Sequence, residues 1–229
     1  MPVSRRFSQL DVFTAQAMRG NPLAVVHEAQ GLTEADMAAF ARWTNLSETT
    51  FLLPPSDEGR RGGADYRVRI FTPGGELPFA GHPTLGSCHA WLAAGGVPRN
   101  AGVVVQECGV GLVRVKRDGA RLAFAAPPLR RTGPVEPEVR ALVRASLSLP
   151  DDALLAVEWI DNGPGWIGAL LPDAATVLAL QPNFLAMKSL KLGVVGPQPA
   201  GHDSQFEVRA FVPTLGVPED PVTGSLNAG

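Results

Sequence analysis

The chain has 229 residues, of which 45% are hydrophobic and 18% are charged, and its formal net charge is −2. This hydrophobic content is typical of a globular protein with a sizeable core and excludes a disordered chain. The charge balance and the pI of about 6.1 argue against a basic surface for nucleic acid or for an acidic membrane. The apolar runs are shorter than a membrane span, and no apolar signal sequence follows Arg5–Arg6. We therefore expect a soluble, cytoplasmic protein without nucleic-acid or membrane partners.

The first half of the sequence predicts a helix enclosed by strands. Leu32-Thr33-Glu34 opens one helical stretch, with Thr33 as the N-cap before EADMAAFARW, and this stretch runs to about Trp43. A second helix starts at Gly81-His82-Pro83, where we expect the proline at the first helical position, and ends at Gly95-Gly96. Its body, LGSCHAWLAA, carries few polar residues, which is typical of a helix buried on all sides. Strands are predicted at 10–14, 22–26, 49–53 and 66–72 and, after the second helix, at GVVVQE, GLVRVKR and RLAFAAP.

The second half repeats the outline of the first. FEVRAFVP at 206–213 matches YRVRIFTP at 66–73 at Val, Arg, Phe and Pro. EDPVTGSLNA at 219–228 matches GHPTLGSCHA at 81–90 at Pro, Gly, Ser and Ala. In both halves an alternating strand leads through a turn to the start of a helix. A Pro-rich segment with a predicted helix around EVRALVRASL separates the copies, so two pseudo-symmetric domains are predicted, at 1–127 and 128–229.

These patterns predict a buried helix wrapped by many strands in the first half, with the same outline repeated in the second. The first copy continues past GHPTLGS through a full helix and three strands, whereas four residues follow EDPVTGS. The second domain is therefore predicted to be incomplete. Two similar halves usually pack about a pseudo-twofold axis, which would bring the two helix starts together.

Three segments carry a resemblance to a known family: NLSETTF at 45–51, ELPFAGHPTLGS at 76–87 and EDPVTGS at 219–225. They resemble the PhzF-like family of phenazine biosynthesis. The resemblance implies the α+β diaminopimelate-epimerase fold of two pseudo-symmetric domains, each a strand barrel wrapped around a central helix, with the site in the cleft. The resemblance implies a cofactor-independent isomerase that moves a proton on a small carboxylated metabolite. It implies that Glu48 is the general acid/base and that His82 and Asp220 relay protons or orient the substrate. We expect no metal or nucleotide cofactor, and a homodimer.

The residue types fit this chemistry, although each has a simpler interpretation. Moving a proton between two carbons requires a group that removes it and returns it elsewhere, and a partly buried carboxylate such as Glu48 can do both. Taken alone, Glu48 would be a solvated charge before a strand. His82 and Asp220 each precede a proline at a helix start, and the alternative role for both is helix capping.

Four further residues are candidates for substrate binding. Gly81, Gly224 and Ser225 lie at helix starts, where backbone N–H groups point outward and attract a carboxylate. The alternative is that the glycines only allow tight turns. Asn21 is a weaker candidate, because Gly-Asn-Pro is an ordinary turn signal.

Two other functions remain open from the sequence. The first is a racemase or epimerase of the same fold that uses carboxylate and imidazole groups. A two-thiol version is disfavoured because the helix starts hold His82 and Asp220, while Cys88 lies deeper in an apolar helix and Cys108 has no evident partner. The second is a non-catalytic ligand-binding protein or a decayed remnant.

Overall fold

The chain divides into two units, the first ending at Ala125 and the second covering Ala126–Gly229. The computed structural model describes residues 3–215 and 218–229. Within these ranges no helix has both the length and the apolar character needed to cross a membrane.

One sheet of eight strands forms the first unit, in the order β1-β2-β3-β4-β6-β7-β8, with β5 paired to β4. Its strands are Phe7–Val12 (β1), Asn21–Val26 (β2), Glu48–Leu53 (β3), Tyr66–Thr72 (β4), Gly75–Leu77 (β5), Val103–Cys108 (β6), Gly111–Asp118 (β7) and Arg121–Phe124 (β8). Its helices are Glu34–Thr44 (α1), Asp57–Arg61 (α2) and Gly81–Ala93 (α3).

Helix α3 lies at the centre of this unit, as the sequence predicts. It packs against β1, β2 and β3, and seven of its residues are buried. Gly86 allows α3 to lie close to β1 and β2, because a Cβ at this position would lie 2.5 Å from Leu23 Cδ2 and 2.9 Å from Val12 Cγ2. The helix starts at Gly81, so Pro83 occupies the third helical position and not the first. Proline fits there because the first N–H groups of a helix have no partner within the helix.

A six-stranded sheet forms the second unit, in the order β14-β13-β12-β11-β10-β9. Its strands are Arg131–Pro134 (β9), Ala156–Asp161 (β10), Trp166–Leu170 (β11), Lys191–Pro197 (β12), Phe206–Phe211 (β13) and Glu219–Asp220 (β14). Its helices are Pro137–Leu147 (α4), Ala174–Ala179 (α5), Phe184–Met187 (α6) and Gly224–Asn227 (α7). A buried cluster that includes Val143, Ile167 and Phe211 forms its core.

The repeat seen in the sequence is a repeat of topology. In each unit a parallel strand pair, β2–β3 or β11–β12, is followed by an antiparallel partner, β4 or β13. Phe71 and Phe211 hold equivalent places, opposite Thr49 and Leu192 respectively. The match of sequence segments therefore corresponds to a match of strand register.

Some predicted elements differ from the observed ones. The first strand ends at Val12 and not at residue 14, because Phe13 has a positive φ of 68° that cannot continue a strand. Helices α2 and α6 and strands β5, β9 and β14 were not predicted. All five are short, at five residues or fewer, so each has too few residues for a periodic pattern.

Candidate active site

Glu48 is placed by the end of one helix and the start of one strand. Helix α1 ends at Thr44, and the next residue, Asn45, takes the left-handed backbone conformation. The backbone N–H of Asn45 donates a hydrogen bond to the Ala41 carbonyl. Asparagine tolerates this conformation, which turns the chain sharply after the helix. Glu48 then opens β3 in parallel register with Leu23 of β2. The carboxyl group therefore projects from the first position of a central strand.

His82 lies beside Glu48 in the same unit. Its Nε2 atom is 3.5 Å from Glu48 Oε2, and the two side chains are only 6% and 16% exposed. His82 is the second residue of α3, and the N-cap of that helix is Ala80. Capping is therefore not the role of His82. The structure brings together two of the three predicted catalytic residues in a nearly buried pair.

Burial determines the charge of His82. It lowers the pKa of the imidazole to about 4, partly offset by a hydrogen bond to the backbone of Pro22. Proline has no N–H group, so the ring donates and the Pro22 carbonyl accepts. At neutral pH His82 is uncharged, with one ring N–H engaged by Pro22 and Nε2 directed to Glu48. Sequence reasoning missed Pro22, although it follows the candidate Asn21 directly.

Asn21 belongs to the same neighbourhood. It opens β2, is 1% exposed, and its Oδ1 accepts a hydrogen bond from Ser47 Oγ at 3.1 Å. Ser47 directly precedes Glu48, so this bond ties the loop that carries Glu48 to the start of β2. Gly20 is required before Asn21, because a Cβ there would lie 2.1 Å from the Val12 carbonyl oxygen. Asn21 therefore has a definite positioning contact, and its predicted contact with substrate stays a prediction.

Phe13 completes the surroundings of the histidine. Its ring centroid lies 6.4 Å from that of His82 in an edge-on arrangement, and the side chain is 42% exposed. The positive φ of Phe13 turns this side chain out of the line of β1. The sequence places Phe13 in a predicted strand and gives no signal of this role.

Asp220 is held differently from His82. It lies in the two-residue strand β14, opposite Ala210, and its Oδ2 accepts a short hydrogen bond from the Thr223 hydroxyl. Thr223, and not Asp220, is the N-cap of α7. The capping interpretation of Asp220 is therefore wrong, because the helix starts later than the sequence suggests.

Ser225 is held by two side chains of the second unit. The Trp166 indole Nε1 donates to Ser225 Oγ at 2.8 Å, and Asn162 Nδ2 donates to the Ser225 carbonyl at 2.7 Å. Gly224 is the first residue of α7, as Gly81 is of α3. The substrate contacts expected of these three residues stay predictions.

The sequence of this chain matches a known protein family. The sequence profile of a family described as phenazine biosynthesis-like protein matches residues 10–229. The chain belongs to this family.

Relatives of the phenazine biosynthesis-like family align over nearly the whole chain. Antisense-enhancing sequence 1 of Schizosaccharomyces pombe is 40% identical over 96% of this chain and 76% of that protein. Trans-2,3-dihydro-3-hydroxyanthranilate isomerase of Pseudomonas chlororaphis is 33% identical over 94% of this chain and 74% of that protein. A crystal structure of a PhzF family protein from Enterococcus faecalis superposes with a TM-score of 0.81, at 27% identity, and covers 99% of this chain and 80% of that one.

These matches test three of the expectations from the sequence. The predicted family and its α+β fold of two similar domains are confirmed. The phenazine biosynthesis-like family includes named isomerases, so the predicted enzyme class is confirmed as well.

Neither cysteine of this phenazine biosynthesis-like chain offers a reactive thiolate. Burial raises the pKa of the Cys88 thiol to about 12 and also raises that of Cys108. Both side chains are buried in the core of the first unit. A thiolate is the reactive form of cysteine, so thiol acid/base chemistry is disfavoured. Among residues 3–215 and 218–229, no group of three or more His, Cys, Asp or Glu could hold a metal ion.

Proposed function

We propose that this protein is a cofactor-independent isomerase in which Glu48 removes a proton from one carbon of a small carboxylated substrate and returns it to another. The observation that carries the proposal is the 3.5 Å contact between Glu48 Oε2 and His82 Nε2 in a nearly buried setting. Such an isomerisation needs no cofactor in principle, because the proton leaves and returns without net oxidation or reduction.

The two side chains can hold one proton between them. The ring already donates one N–H to the Pro22 carbonyl, so neutral His82 directs the lone pair of Nε2 to the Glu48 carboxyl group. A carboxylic acid on Glu48 can give its proton to that lone pair, and the imidazolium so formed can return the proton to the Glu48 carboxylate. His82 thereby adjusts the protonation of Glu48, which is the requirement for a group that must act both as base and as acid.

The substrate class is supported by one relative and one helix. The Pseudomonas chlororaphis relative is named for a cyclic amino acid, trans-2,3-dihydro-3-hydroxyanthranilate. Helix α3 has 13 residues, and its N-cap Ala80 makes no side-chain capping bond, so its first N–H groups near Gly81 suit a carboxylate. In this proposal Asn21, Gly224 and Ser225 contact substrate and Asp220 serves as a further proton-transfer or orienting group.

The test follows hydrogen exchange in the substrate. The protein is incubated with trans-2,3-dihydro-3-hydroxyanthranilate and with related cyclic carboxylates in D₂O, and NMR follows the position of the incorporated deuterium. Glu48→Gln keeps the shape of the side chain but cannot carry the proton, so turnover should fall by about 10²-fold or more. Glu58→Gln is the matched control, because Glu58 is an exposed glutamate of the same unit.

Each outcome separates one function from another. Deuterium at a second carbon, with rearranged product, supports the isomerase. Deuterium confined to one inverted stereocentre would show a racemase or epimerase of the same fold. Binding without any exchange would show a ligand-binding protein. Turnover of Glu48→Gln within a few-fold of the unmodified protein would remove Glu48 from its proposed role.

A further inference from the structure

The same arginine–glutamate pair occurs at equivalent places in both units. In the first, Arg69 Nε and Nη2 donate to the two carboxylate oxygens of Glu76 at 2.7 and 2.5 Å. In the second, Arg209 Nε and Nη2 donate to the two oxygens of Glu219 at 2.7 and 2.8 Å. Both contacts are bidentate, and a bidentate contact fixes the orientation of the carboxylate as well as its distance from the guanidinium.

The surroundings of the two pairs repeat as well. Glu76 lies opposite Phe71 in the ladder, and Glu219 lies opposite Phe211. Each guanidinium also stands over the phenylalanine two residues along its own strand, at 5.1 Å in the first unit and 4.9 Å in the second. In the first unit the glutamate belongs to the short strand that precedes His82, and in the second it belongs to the short strand that contains Asp220.

The arginine of the second unit makes two further hydrogen bonds to backbone carbonyls. Arg209 Nη1 also donates to the carbonyl groups of Val177 and Leu180, at 3.1 and 2.9 Å, at the end of α5. The guanidinium therefore joins three parts of the unit: β13, the end of α5 and the two-residue strand β14. Its side chain is only 18% exposed, so solvent screens these bonds less than those of a surface pair.

Strand β14 consists of Glu219 and Asp220 alone. In the first unit several residues separate Glu76 from His82. In the second unit Glu219, which binds Arg209, is the direct neighbour of the predicted site residue Asp220. We propose that Arg209 is a positioning residue that holds Asp220 in place through Glu219. This inference rests on the site role proposed above for Asp220, but its physical claim is the placement of the Asp220 carboxyl group, which can be measured without a substrate.

Arg209→Lys is the informative variant. Lysine keeps the positive charge but loses the planar fork, so it can bind neither both oxygens of Glu219 nor both carbonyls of α5 in the same way. We expect the ¹³C NMR signal of the Asp220 carboxyl carbon to move and broaden. We also expect hydrogen exchange at the backbone amides of residues 219, 220, 222 and 223 to rise by about tenfold or more, since local opening sets exchange rates. Where an assay exists, kcat should fall more than KM rises.

Arg131→Lys is the matched control. Arg131 also pairs with a glutamate, Glu136, and lies over an aromatic ring, Trp159, at 3.6 Å. It belongs to the same unit but is tied to β9 and the start of α4, so its loss should leave the Asp220 signal unchanged. If Arg209→Lys does not fold, Glu219→Gln weakens the Arg209–Glu219 contact with a smaller change to the protein.

An unchanged Asp220 signal and unchanged exchange in folded Arg209→Lys or Glu219→Gln would overturn the inference, even if thermal stability drops. A displaced Asp220 in a protein that lacks isomerase activity would uphold the positioning role and count against the proposed function alone.

Discussion

Glu48 and Lys191 occupy the same register position in the two halves of the chain. Glu48 opens β3 opposite Leu23, on a parallel pair of strands. Lys191 opens β12 opposite Trp166, on the equivalent parallel pair. Its ammonium group donates to the Pro164 carbonyl at 2.8 Å. The repeated architecture therefore carries the candidate acid/base group in one half and a structural lysine in the other.

This asymmetry predicts unequal effects of substitution. Lys191→Gln should leave proton exchange within a few-fold of the unmodified protein, because the lysine holds a loop and carries no proton of the reaction. Glu48→Gln should lower exchange by about 10²-fold or more. Deuterium incorporation measured on both variants checks the contrast. Equal losses would show that the acid/base chemistry does not belong to Glu48 in particular.

A methyl group at Gly20 should disturb the loop before Asn21. The added carbon would lie 2.1 Å from the Val12 carbonyl oxygen, which is backbone and cannot rotate away. Gly20→Ala should therefore lower the free energy of unfolding by about 1–3 kcal/mol, the usual cost of overpacking. At Gly102 the nearest atom would be 3.9 Å away, so Gly102→Ala is the control. Urea denaturation of both variants measures the difference in unfolding free energy. Equal stabilities would contradict the close contact between Gly20 and the Val12 carbonyl.

Equivalent aromatic residues should contribute unequally to stability. Tyr66 is 2% exposed and stacks on Trp91 at 5.2 Å, whereas Phe206, at the same place in the repeat, is 52% exposed. Phe206 borders an apolar recess of about 470 Å³. Tyr66→Ala should cost about 3–5 kcal/mol, as for other large aromatic side chains in a core. Phe206→Ala should cost less than about 1 kcal/mol, because surface substitutions are usually small in effect. A comparable loss of melting temperature in both variants would contradict this contrast.

The sequence predicts the parts of the site that repeat and misses the parts that depend on local geometry. Matching segments at Arg69 and Arg209 indicate the duplication because repeated strands keep the same register. The NLSETTF segment points to Glu48 through family resemblance. The contact of His82 with Pro22 could not be predicted, because it joins residues far apart in sequence through a backbone carbonyl that any residue could supply. The N-cap at Thr223 was missed because a four-residue helix has no periodic pattern.

The buried His82 should make stability depend on pH. Burial lowers the pKa of its imidazole from 6.5 to about 4 in the folded protein. Between these values the unfolded chain binds the proton and the folded chain does not, so stability falls as pH drops from about 6.5 to about 4. Over this range the loss amounts to at most about 3 kcal/mol, because a difference of one in pKa corresponds to about 1.4 kcal/mol.

Unfolding curves at several pH values check this dependence. His82→Gln should show a shallower loss of stability over the same range. Burial also lowers the pKa of His27, so His27→Gln should remove a separate part of the dependence of unfolding free energy on pH. A slope unchanged by His82→Gln would show that this histidine is not buried in the neutral form.

Asp220 should matter more for activity than for stability. Thr223 is the N-cap residue of α7 but makes no side-chain capping bond, so a substitution of Asp220 removes the hydrogen bond from the Thr223 hydroxyl without removing a capping bond. Asp220→Ala should therefore lower the free energy of unfolding by about 1.5–3 kcal/mol, as for other hydrogen bonds to a charged group, and lower proton exchange much further. Thr223→Val removes the same bond but keeps the carboxylate, so it should show the stability loss with most of the exchange retained. Melting temperature and deuterium incorporation are measured on both variants. If both lose exchange equally, Asp220 acts only through its bond to Thr223, and its proposed part in proton transfer is wrong.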